Sequence, residues 1–559
     1  MDKWTSSTNP MFRSKFSEDI FLQKYMHDGC ETYAELCGVL VDDVCGADMS
    51  HADKDQLVQF MVDLKFIAGG RYLYYAGREN KFFNNCFLLK AEEDTREDWA
   101  ELSKKVELCL STGGGIGCDY SIYRPRGALL RGTGGTASGP LPKMQMVNDQ
   151  GRGVMQGGSR RSAIYASLNW KHDDINEFLI AKDWYNIPVR GTNKSLGELR
   201  EADFNFPVPL DHTNISVNYD TEWIEEYWND GEIGNVFKQN VKQALSTGEP
   251  GFSFNFWDKE NETLRNACTE VTSEDDSDVC NLGSINIGRI DSIAEFRDVV
   301  ELATKFLICG TLVAKLPYER VREVREKNRR LGLGLMGMHE WLIKKGERYE
   351  VTEELHRWLS VYRGVSDATS RMFADGLSIS RPIANRAIAP TGSIGILAGT
   401  TTGIEPLFAA AYKRRYLKGK KWHYQYVVDG VAQEMHLNYG VDPDTLDTSM
   451  GLATTPEQRI AFQAGVQEYV DMGISSTINL PQWGTGKNTE ENVDDFANIL
   501  AKYAHRLRGF TCYPDGCRGG QPLVAVDHKD AVKKLGEEFE EHVEVVDMCG
   551  IAGGGTCGS

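Results

Sequence analysis

Short apolar runs separated by glycine-rich turns and helical stretches fill the chain from residue 81 to about 525. Examples are Phe87-Leu88-Leu89, Ala163-Ile164-Tyr165-Ala166 and Ile383-Ala384. Runs this short that alternate with helical patterns are typical of buried parallel strands, because helical crossovers cover both faces of the sheet. The sequence therefore predicts an α/β architecture.

The two ends of the chain have different patterns. Residues 1–80 have apolar positions at helical spacing, which predicts a helical N-terminal domain. The C-terminal segment ends in Cys549-Gly-Ile-Ala-Gly-Gly-Gly-Thr-Cys557-Gly-Ser, and consecutive glycines are costly to order. We expect a helical domain over 1–80, an α/β domain over 81–525 and a flexible tail that carries two thiols over 526–559.

Charge and cysteine content limit the partners and the compartment. With 62 Lys and Arg against 81 Asp and Glu, the net charge is −19, which repels nucleic-acid polymers and anionic membranes. The sequence has no long apolar span and no signal-peptide pattern, so we expect a cytoplasmic protein. The 13 cysteines form no CxxC pair, and we predict no metal site; the thiols are either buried or redox-active.

Three glycine-rich stretches are candidates for phosphate binding. The stretches 111–118 and 132–139 lack the GxGxxG spacing and the Gly-Lys-Ser/Thr ending of nucleotide-binding loops. The third follows a short apolar run and has the hydroxyl residues and glycines that suit a phosphate at a helix N-terminus. Its candidate residues are Thr391, Gly392, Ser393 and Ile394. Ordinary turn chemistry would account for all three stretches equally well.

An amide, a thiol and a carboxylate occur at alternate positions in Asn266-Ala267-Cys268-Thr269-Glu270. In an extended segment these three side chains project to the same side. An amide can orient a hydroxyl group, a carboxylate can remove its proton, and a thiol can act as nucleophile or radical. A buried cysteine between surface polar residues would give the same pattern, so the spacing leaves both readings open.

Taken in order, these motifs resemble the catalytic large subunit of ribonucleotide reductase. The resemblance rests on Asn-x-Cys-x-Glu at 266–270, on Cys280 twelve residues after Cys268, on Asn85-Cys86-Phe87-Leu88-Leu89 upstream, and on Ala-Pro-Thr-Gly-Ser-Ile downstream. It extends from about residue 69 to the end of the chain. Further matching stretches are Gly114–Gly117, Arg131–Gly139, Leu331–Gly337, Gly403–Pro406 and the two-cysteine tail.

The resemblance implies a fold and a reaction. The fold is a ten-stranded α/β barrel of two five-stranded parallel halves, antiparallel to each other, with a central finger loop. Cys268 would be the thiyl-radical cysteine that abstracts the 3′ hydrogen, Glu270 the general base for the 3′-hydroxyl, and Asn266 the group that holds the substrate hydroxyls. Cys86 and Cys280 would reduce C2′ and end as a disulfide. The implied activity is reduction of ribonucleotides, as diphosphates, to 2′-deoxyribonucleotides.

The resemblance also implies how substrate and reductant bind. Substrate would contact Asn85, and its phosphates would rest on the stretch from Thr391 to Ile394. Cys549 and Cys557 would enter the barrel, exchange disulfides with the catalytic pair, and be reduced in turn by thioredoxin or glutaredoxin.

An allosteric site is implied as well, for a deoxynucleotide or ATP effector that selects the substrate base. Its residues would be Asp94, Arg124 and the loop from Arg126 to Thr136, which includes Arg131, with a second loop within 186–207. We expect an effector-dependent homodimer. Because Cys86 comes so early, we expect no N-terminal ATP cone.

The resemblance leaves two radical sources open. Large subunits that work with a separate ferritin-like metal subunit usually have two adjacent tyrosines near the end of the barrel, where this chain has Cys512-Tyr513. That stretch and 475–481 resemble the adenosylcobalamin-dependent branch. The short, cone-less chain resembles phage-type large subunits, which act in the host cytoplasm. We expect a ferritin-like partner, no cofactor bound in this chain and Tyr513 as a radical relay; adenosylcobalamin is the alternative.

Two other classes of protein compete with this reading. A glycyl-radical enzyme needs its glycine in an Arg-Val-Ser-Gly-Tyr-like loop, and the glycines at 553–555 lack that context. A non-catalytic nucleotide-binding or zinc-binding regulator would hold metal through Cys512, Cys517 and the tail cysteines, and would not need Cys268.

Overall fold

The structure is a computed structural model of the 559-residue chain. It describes residues 11–132, 134–154, 162–203, 206–418, 421–517 and 523–541. Within these ranges no helix is long and apolar enough to cross a membrane.

The strands of this part of the chain are β1 Phe66–Ala68, β2 Cys86–Leu89, β3 Gly115–Asp119, β4 Ile164–Asn169, β5 Thr213–Tyr219, β6 Gly251–Phe254, β7 Leu264–Arg265, β8 Thr272–Ser273, β9 Asp278–Asn286, β10 Leu331–Met336, β11 Ala411–Lys418, β12 Lys421–Val428, β13 Thr477–Leu480, β14 Gly509–Pro514, β15 Leu523–Ala525 and β16 Glu538–Glu541.

The helices of the same ranges are α1 Lys15–Lys24, α2 Tyr33–Cys45, α3 His51–Val62, α4 Gly70–Tyr75, α5 Arg96–Ser111, α6 Leu141–Gly153, α7 Ile175–Leu179, α8 Leu196–Ala202, α9 Thr221–Asp230, α10 Asn235–Thr247, α11 Ile293–Val313, α12 Glu319–Asn328, α13 Met338–Lys344, α14 Glu353–Gly376, α15 Gly392–Ala398, α16 Gly430–Tyr439, α17 Pro456–Gln467, α18 Val493–Ala504 and α19 His528–Lys533.

The first half of a barrel consists of five parallel strands in the order β2–β3–β4–β5–β6. Their sequences are almost wholly apolar or small, and nearly every side chain of β2, β4 and β6 is buried. Burial on both faces is expected where helices cover the outside and a loop fills the inside.

The second half contains β9, β10, β13 and β14, also with parallel neighbours. Residues 384–388 complete it, because parallel bridges join Leu333 to Arg386 and Ile388 to Ile474. The two halves meet at two antiparallel seams, β2 with β9 and β6 with β14. The ring of ten strands is therefore closed, and the predicted α/β barrel of two antiparallel halves is confirmed.

A loop inside the barrel connects β6 to β9. The short hairpin of β7 and β8 forms its stem. Its tip touches both halves: Asn214 Nδ2 donates to the carbonyl of Ala267 at 2.9 Å, and Gly473 N donates to the carbonyl of Glu270 at 2.7 Å. This loop, residues 255–277, is the predicted finger loop.

The N-terminal helices pack against the second half of the barrel. Side chains of α1, α2 and α3 share one apolar core with β9, β10, α11 and α14. A capping box of Thr32 and Glu35 begins α2, which satisfies backbone N–H groups at the start of that helix. The predicted helical N-terminus is present, while the domain boundaries at 80 and 525 stay predictions.

A second, antiparallel sheet with the order β15–β11–β12–β16 was not predicted from the sequence. In β12 the aromatic residues Trp422, Tyr424 and Tyr426 alternate with His423 and Gln425, a period-two pattern that is typical of a half-exposed strand. Within the segment predicted as a flexible tail, α19 and β16 are ordered against this hairpin.

Candidate active site

The tip of the finger loop joins three of the predicted catalytic side chains. Asn266 Nδ2 donates to Cys86 Sγ at 3.0 Å and to Glu270 Oε2 at 2.8 Å. The other end of the amide is fixed, because Asn266 Oδ1 accepts from Val271 N at 3.0 Å. Asn266 therefore holds a thiol and a carboxylate in one buried cluster.

This cluster forms on a turn and not on the extended segment that the alternate spacing predicts. Thr269 N donates to the carbonyl of Asn266 at 2.9 Å, and Thr269 has a left-handed φ of 68°. The turn brings the side chains of residues 266 and 270 together across its base. Cys268 lies at its apex and is only half-buried, whereas Cys86 and Cys280 are buried.

Cys86 and Cys280 face each other across the antiparallel seam between β2 and β9. Cα atoms of directly opposed residues in such a pair are about 4.5–5.5 Å apart, within the range that a disulfide spans. Burial raises the pKa of both thiols well above its ordinary value, with Glu270 as a further cause for Cys86 and Asp278 for Cys280. Both groups are therefore protonated thiols near neutral pH.

Glu270 is a carboxylic acid with a strongly altered proton affinity. It is buried, and burial raises its pKa to about 7, although the hydrogen bond from Asn266 opposes this shift. A pKa near neutrality suits a group that must both accept and return a proton.

The predicted phosphate residues come directly after the barrel segment 384–388. Thr391 has a left-handed φ of 49° and begins α15, and its Oγ1 accepts from Gly403 N at 2.8 Å. A side chain built on Gly392 would meet no atom within 4 Å, so the space in front of this turn is open. Ser393 Oγ accepts from Lys24 Nζ at 3.1 Å, and the side chain of Ile394 is buried.

Asn85 precedes the first redox cysteine and has an unusual side chain. Its Oδ1 is buried without a hydrogen-bond partner in the part of the chain that the structure describes. A buried acceptor without a donor is costly unless another molecule supplies one. Asn85 can therefore accept a hydrogen bond from a hydroxyl group of a bound ligand.

The predicted effector residues lie at the opposite end of β2 from Cys86. Asp94 accepts hydrogen bonds from the backbone N and the guanidinium of Arg124. Arg131 is exposed on a loop that is closed by a hydrogen bond of 2.9 Å from Gly127 N to the carbonyl of Ala137. The structure thus pairs two of the predicted residues, Asp94 and Arg124.

The predicted second loop contains α8 and a bridge between Pro188 and Ser195. No contact among its described residues joins it to Asp94 or Arg124, so its role stays a prediction. The tail cysteines Cys549 and Cys557 lie outside the described residues.

Neighbouring residues of β14 point in opposite directions. Cys512 packs with the outer apolar core, where its Sγ donates to the carbonyl of Ala244 at 3.3 Å. By the two-residue period of a strand, Thr511 and Tyr513 face the barrel interior. Tyr513, paired in register with Asn479, is therefore on the side of the strand that a radical relay requires.

Arg265 and Gly117 help to position the finger loop, and neither was predicted to do so from the sequence. Arg265 is buried and donates to Ser253 Oγ at 2.6 Å and to Asn255 Oδ1 at 2.9 Å. Gly117 gives the loop room, because a Cβ there would lie 1.6 Å from the carbonyl oxygen of Arg265. Gly117 belongs to a stretch that matched the family pattern; Arg265 gave no signal.

Among the described residues, no group of three or more His, Cys, Asp or Glu side chains could hold a metal ion.

The chain is similar to several curated enzymes. A vitamin B12-dependent ribonucleoside-diphosphate reductase of Mycobacterium tuberculosis is 28% identical, over 90% of this chain and 78% of the relative. One of Thermoplasma acidophilum is 29% identical, over 84% and 66%. A putative adenosylcobalamin-dependent ribonucleoside-triphosphate reductase of Mycobacterium phage D29 is 25% identical, over 71% and 65%. The relatives thus favour the adenosylcobalamin alternative over the expected metal subunit.

A solved structure and a family model agree on the fold. The alpha subunit of the class Id ribonucleotide reductase of Actinobacillus ureae superposes with a TM-score of 0.68 at 17% identity, over 92% of this chain and 98% of that chain. The model for the barrel domain of ribonucleotide reductase matches residues 84–197, 215–361 and 380–513. This chain, with a finger loop inside a ten-stranded barrel, belongs to the ribonucleotide reductase family.

Proposed function

We propose that the chain reduces ribonucleoside diphosphates to 2′-deoxyribonucleotides by thiyl-radical chemistry, with adenosylcobalamin as the radical source. The observation that carries the proposal is the position of Asn266, whose amide contacts both Cys86 Sγ and Glu270 Oε2 while Cys280 lies directly across from Cys86. A dithiol, a base near neutral pKa and an orienting amide are what dehydration at C2′ requires.

The proposed reaction balances in protons and electrons. A thiyl radical on Cys268 takes the 3′ hydrogen, Glu270 takes the 3′-hydroxyl proton, and the 2′-hydroxyl leaves as water with a proton from the thiol pair. Cys86 and Cys280 supply two electrons and, with them, their second hydrogen to C2′, and they become a disulfide. Glu270 then returns its proton to the 3′ oxygen, and Cys268 returns its hydrogen to C3′. Because burial keeps both thiols protonated, they carry the hydrogen atoms that this step consumes.

The exposure of the cysteines supports a radical source outside the catalytic cluster. Cys268 is half-buried at the apex of its turn, while the redox pair is buried. Adenosylcobalamin supplies a carbon-centred radical when bound. The residues that we propose to contact it are Thr477 and Thr511, whose hydroxyl groups lie 3.3 Å apart. Thr477 is exposed, so its hydroxyl group is accessible to a polar group of a bound cofactor.

A separate ferritin-like metal subunit is the second candidate for the radical source. The orientation of Tyr513, which faces the barrel interior from β14, favours this candidate. A tyrosine between the protein surface and Cys268 can relay a radical. The position before it is Cys512, which faces outward and cannot continue such a relay into the barrel. For this reason, and because the relatives are named for vitamin B12, we place this candidate second.

Regulation and re-reduction complete the proposal. We propose that a deoxynucleotide or ATP binds at Asp94, Arg124 and Arg131, that two copies associate when it does, and that Cys549 and Cys557 carry electrons from a thioredoxin or glutaredoxin. Asp94 follows the end of β2 opposite to Cys86, which supports an allosteric site that is distinct from the catalytic one.

The test is turnover by the purified chain with adenosylcobalamin, dithiothreitol, effectors and a panel of ribonucleoside di- and triphosphates. We expect reduction of diphosphates without a second protein. Cys268→Ala should abolish it, whereas Cys118→Ala, which removes a buried thiol on the outer side of β3, should retain it. Turnover only after addition of a metal-loaded partner would replace the cobalamin proposal with the second candidate. Retained turnover by Cys268→Ala would contradict the thiyl mechanism.

A further inference from the structure

The end of helix α1 lies beside the proposed phosphate site. Lys24 Nζ donates to Ser393 Oγ at 3.1 Å, in the first turn of α15. The hydroxyl of the next residue, Tyr25, lies 3.1 Å from where a Cβ on Gly70 would be, at the first residue of α4. Helix α1 therefore ends close to the first turns of two helices.

The position of Lys24 is set by contacts along the whole of α1. Ser17 Oγ donates to the carbonyl of Ile396 at 2.6 Å, and Arg13 donates to the carbonyl of Gly399. With the Lys24 contact, these are three points at which α1 follows α15 in the antiparallel direction. The ammonium group is thus held at the N-terminal end of α15 by the packing of the two helices.

The phosphate site needs a positive charge that its own residues lack. Thr391, Gly392, Ser393 and Ile394 are all uncharged, and Asn85 is neutral. A nucleoside diphosphate carries several negative charges, and ionised donors bind phosphate oxygens about twice as strongly as neutral ones. The open space at Gly392 adjoins Ser393, and the exposed Lys24 side chain reaches the same residue.

We propose that Lys24 is a substrate-binding residue, which contributes the positive charge for the substrate phosphates from the N-terminal helix. The inference rests on the proposed function, because it assigns the phosphates to the turn at Thr391. It makes the helical N-terminus part of the active site as well as a support for the barrel.

The test compares Lys24→Met with Lys24→Arg and with Lys15→Met. Lys15 is a matched control, because it lies on the same helix about 13 Å away and pairs with Glu18 and Asp19. We expect Lys24→Met to raise the KM for a ribonucleoside diphosphate about tenfold, about 1.4 kcal/mol, with kcat changed less than about twofold. Lys24→Arg should recover most of the affinity, and Lys15→Met should match the wild type.

A second measurement separates this inference from the proposed function. Calorimetric titration with inorganic pyrophosphate reports on the phosphate site without turnover, and Lys24→Met should weaken that binding by about the same factor. If the wild type binds pyrophosphate but reduces no ribonucleotide, the proposed function fails. The affinities of the wild type and Lys24→Met for pyrophosphate then still test whether Lys24 binds the phosphates. Unchanged KM in Lys24→Met, or an equal effect of Lys15→Met, would overturn the inference while leaving the function intact.

Discussion

The carboxyl group of Glu270 owes its chemistry to its surroundings. The side chain of Glu270 is buried, and burial raises its pKa to about 7, while the hydrogen bond from the amide of Asn266 limits this rise. The same amide donates to Cys86, so one side chain fixes both a carboxyl group and a thiol. The proton affinity of Glu270 is thus a property of the finger loop and not of the glutamate alone.

This pKa predicts the pH dependence of the reaction. Only the ionised form of Glu270 can accept the 3′-hydroxyl proton, so the single-turnover rate should rise as pH increases through about 7 and then level off. In Glu270→Gln the rate should no longer rise with pH, and it should be at least about 100-fold lower, which is the usual scale of general-base catalysis. The measurement is rapid-quench formation of deoxynucleotide between pH 5.5 and 8.5.

The matched control for this experiment is Glu274→Gln, an exposed glutamate next to the β7–β8 hairpin. It should keep both the rate and the pH profile of the wild type. A rate in the wild-type protein that does not change between pH 6 and 8 would contradict the role of Glu270 as the base.

At the scale of elements, the finger loop depends on small side chains in the barrel wall. The carbonyl of Arg265 lies so close to β3 that a Cβ on Gly117 would be 1.6 Å from it. Opposite, a Cβ on Gly473 would be 2.5 Å from the carbonyl of Thr269. Backbone atoms cannot move aside as flexible side chains do, so these glycines determine how the loop fits inside the barrel.

Gly117→Ala should therefore displace the finger loop. A shift of about 1 Å at reacting groups can lower a rate about 100-fold, and we expect at least this loss in kcat. Gly153→Ala, at the end of α6, is the control, because a Cβ there would meet no atom within 4 Å. Kinetics and thermal melting of both variants check the prediction; wild-type turnover by Gly117→Ala would show that the loop has room to move.

The finger loop also shows how far sequence reasoning reaches. The barrel was predictable because each strand is a short buried run between helical stretches and because the family motifs occur in order. The turn at 266–270 was not, since nothing in the sequence indicates the left-handed φ of Thr269. The contact of Lys24 with Ser393 spans 369 residues, and local patterns carry no information about such pairs.

At the scale of the whole molecule, a buried ion-pair network ties the N-terminal segment to the barrel. Arg13 contacts Glu340 at 2.7 Å and Glu434 at 2.8 Å, and Thr400 Oγ1 and Lys344 also reach Glu340. Glu340 is fully buried, and the Arg13 guanidinium is the main group that overcomes burial and holds its pKa at about 2. The network thus joins residue 13 to the region around α15.

Removal of Arg13 should leave a buried carboxylate with too little positive charge around it. Loss of one partner of a buried ion pair typically costs 3–5 kcal/mol, and since Lys344 remains we expect Arg13→Met to lower the free energy of unfolding by about 3 kcal/mol. Adding Glu340→Gln should recover part of this loss, because the uncompensated charge is gone. Arg381→Met, which breaks an exposed pair with Asp375, should leave the free energy of unfolding nearly unchanged, because solvent screens that pair. Urea unfolding of the four proteins checks this, and equal costs for Arg13 and Arg381 would mean that the N-terminal segment is held by apolar packing alone.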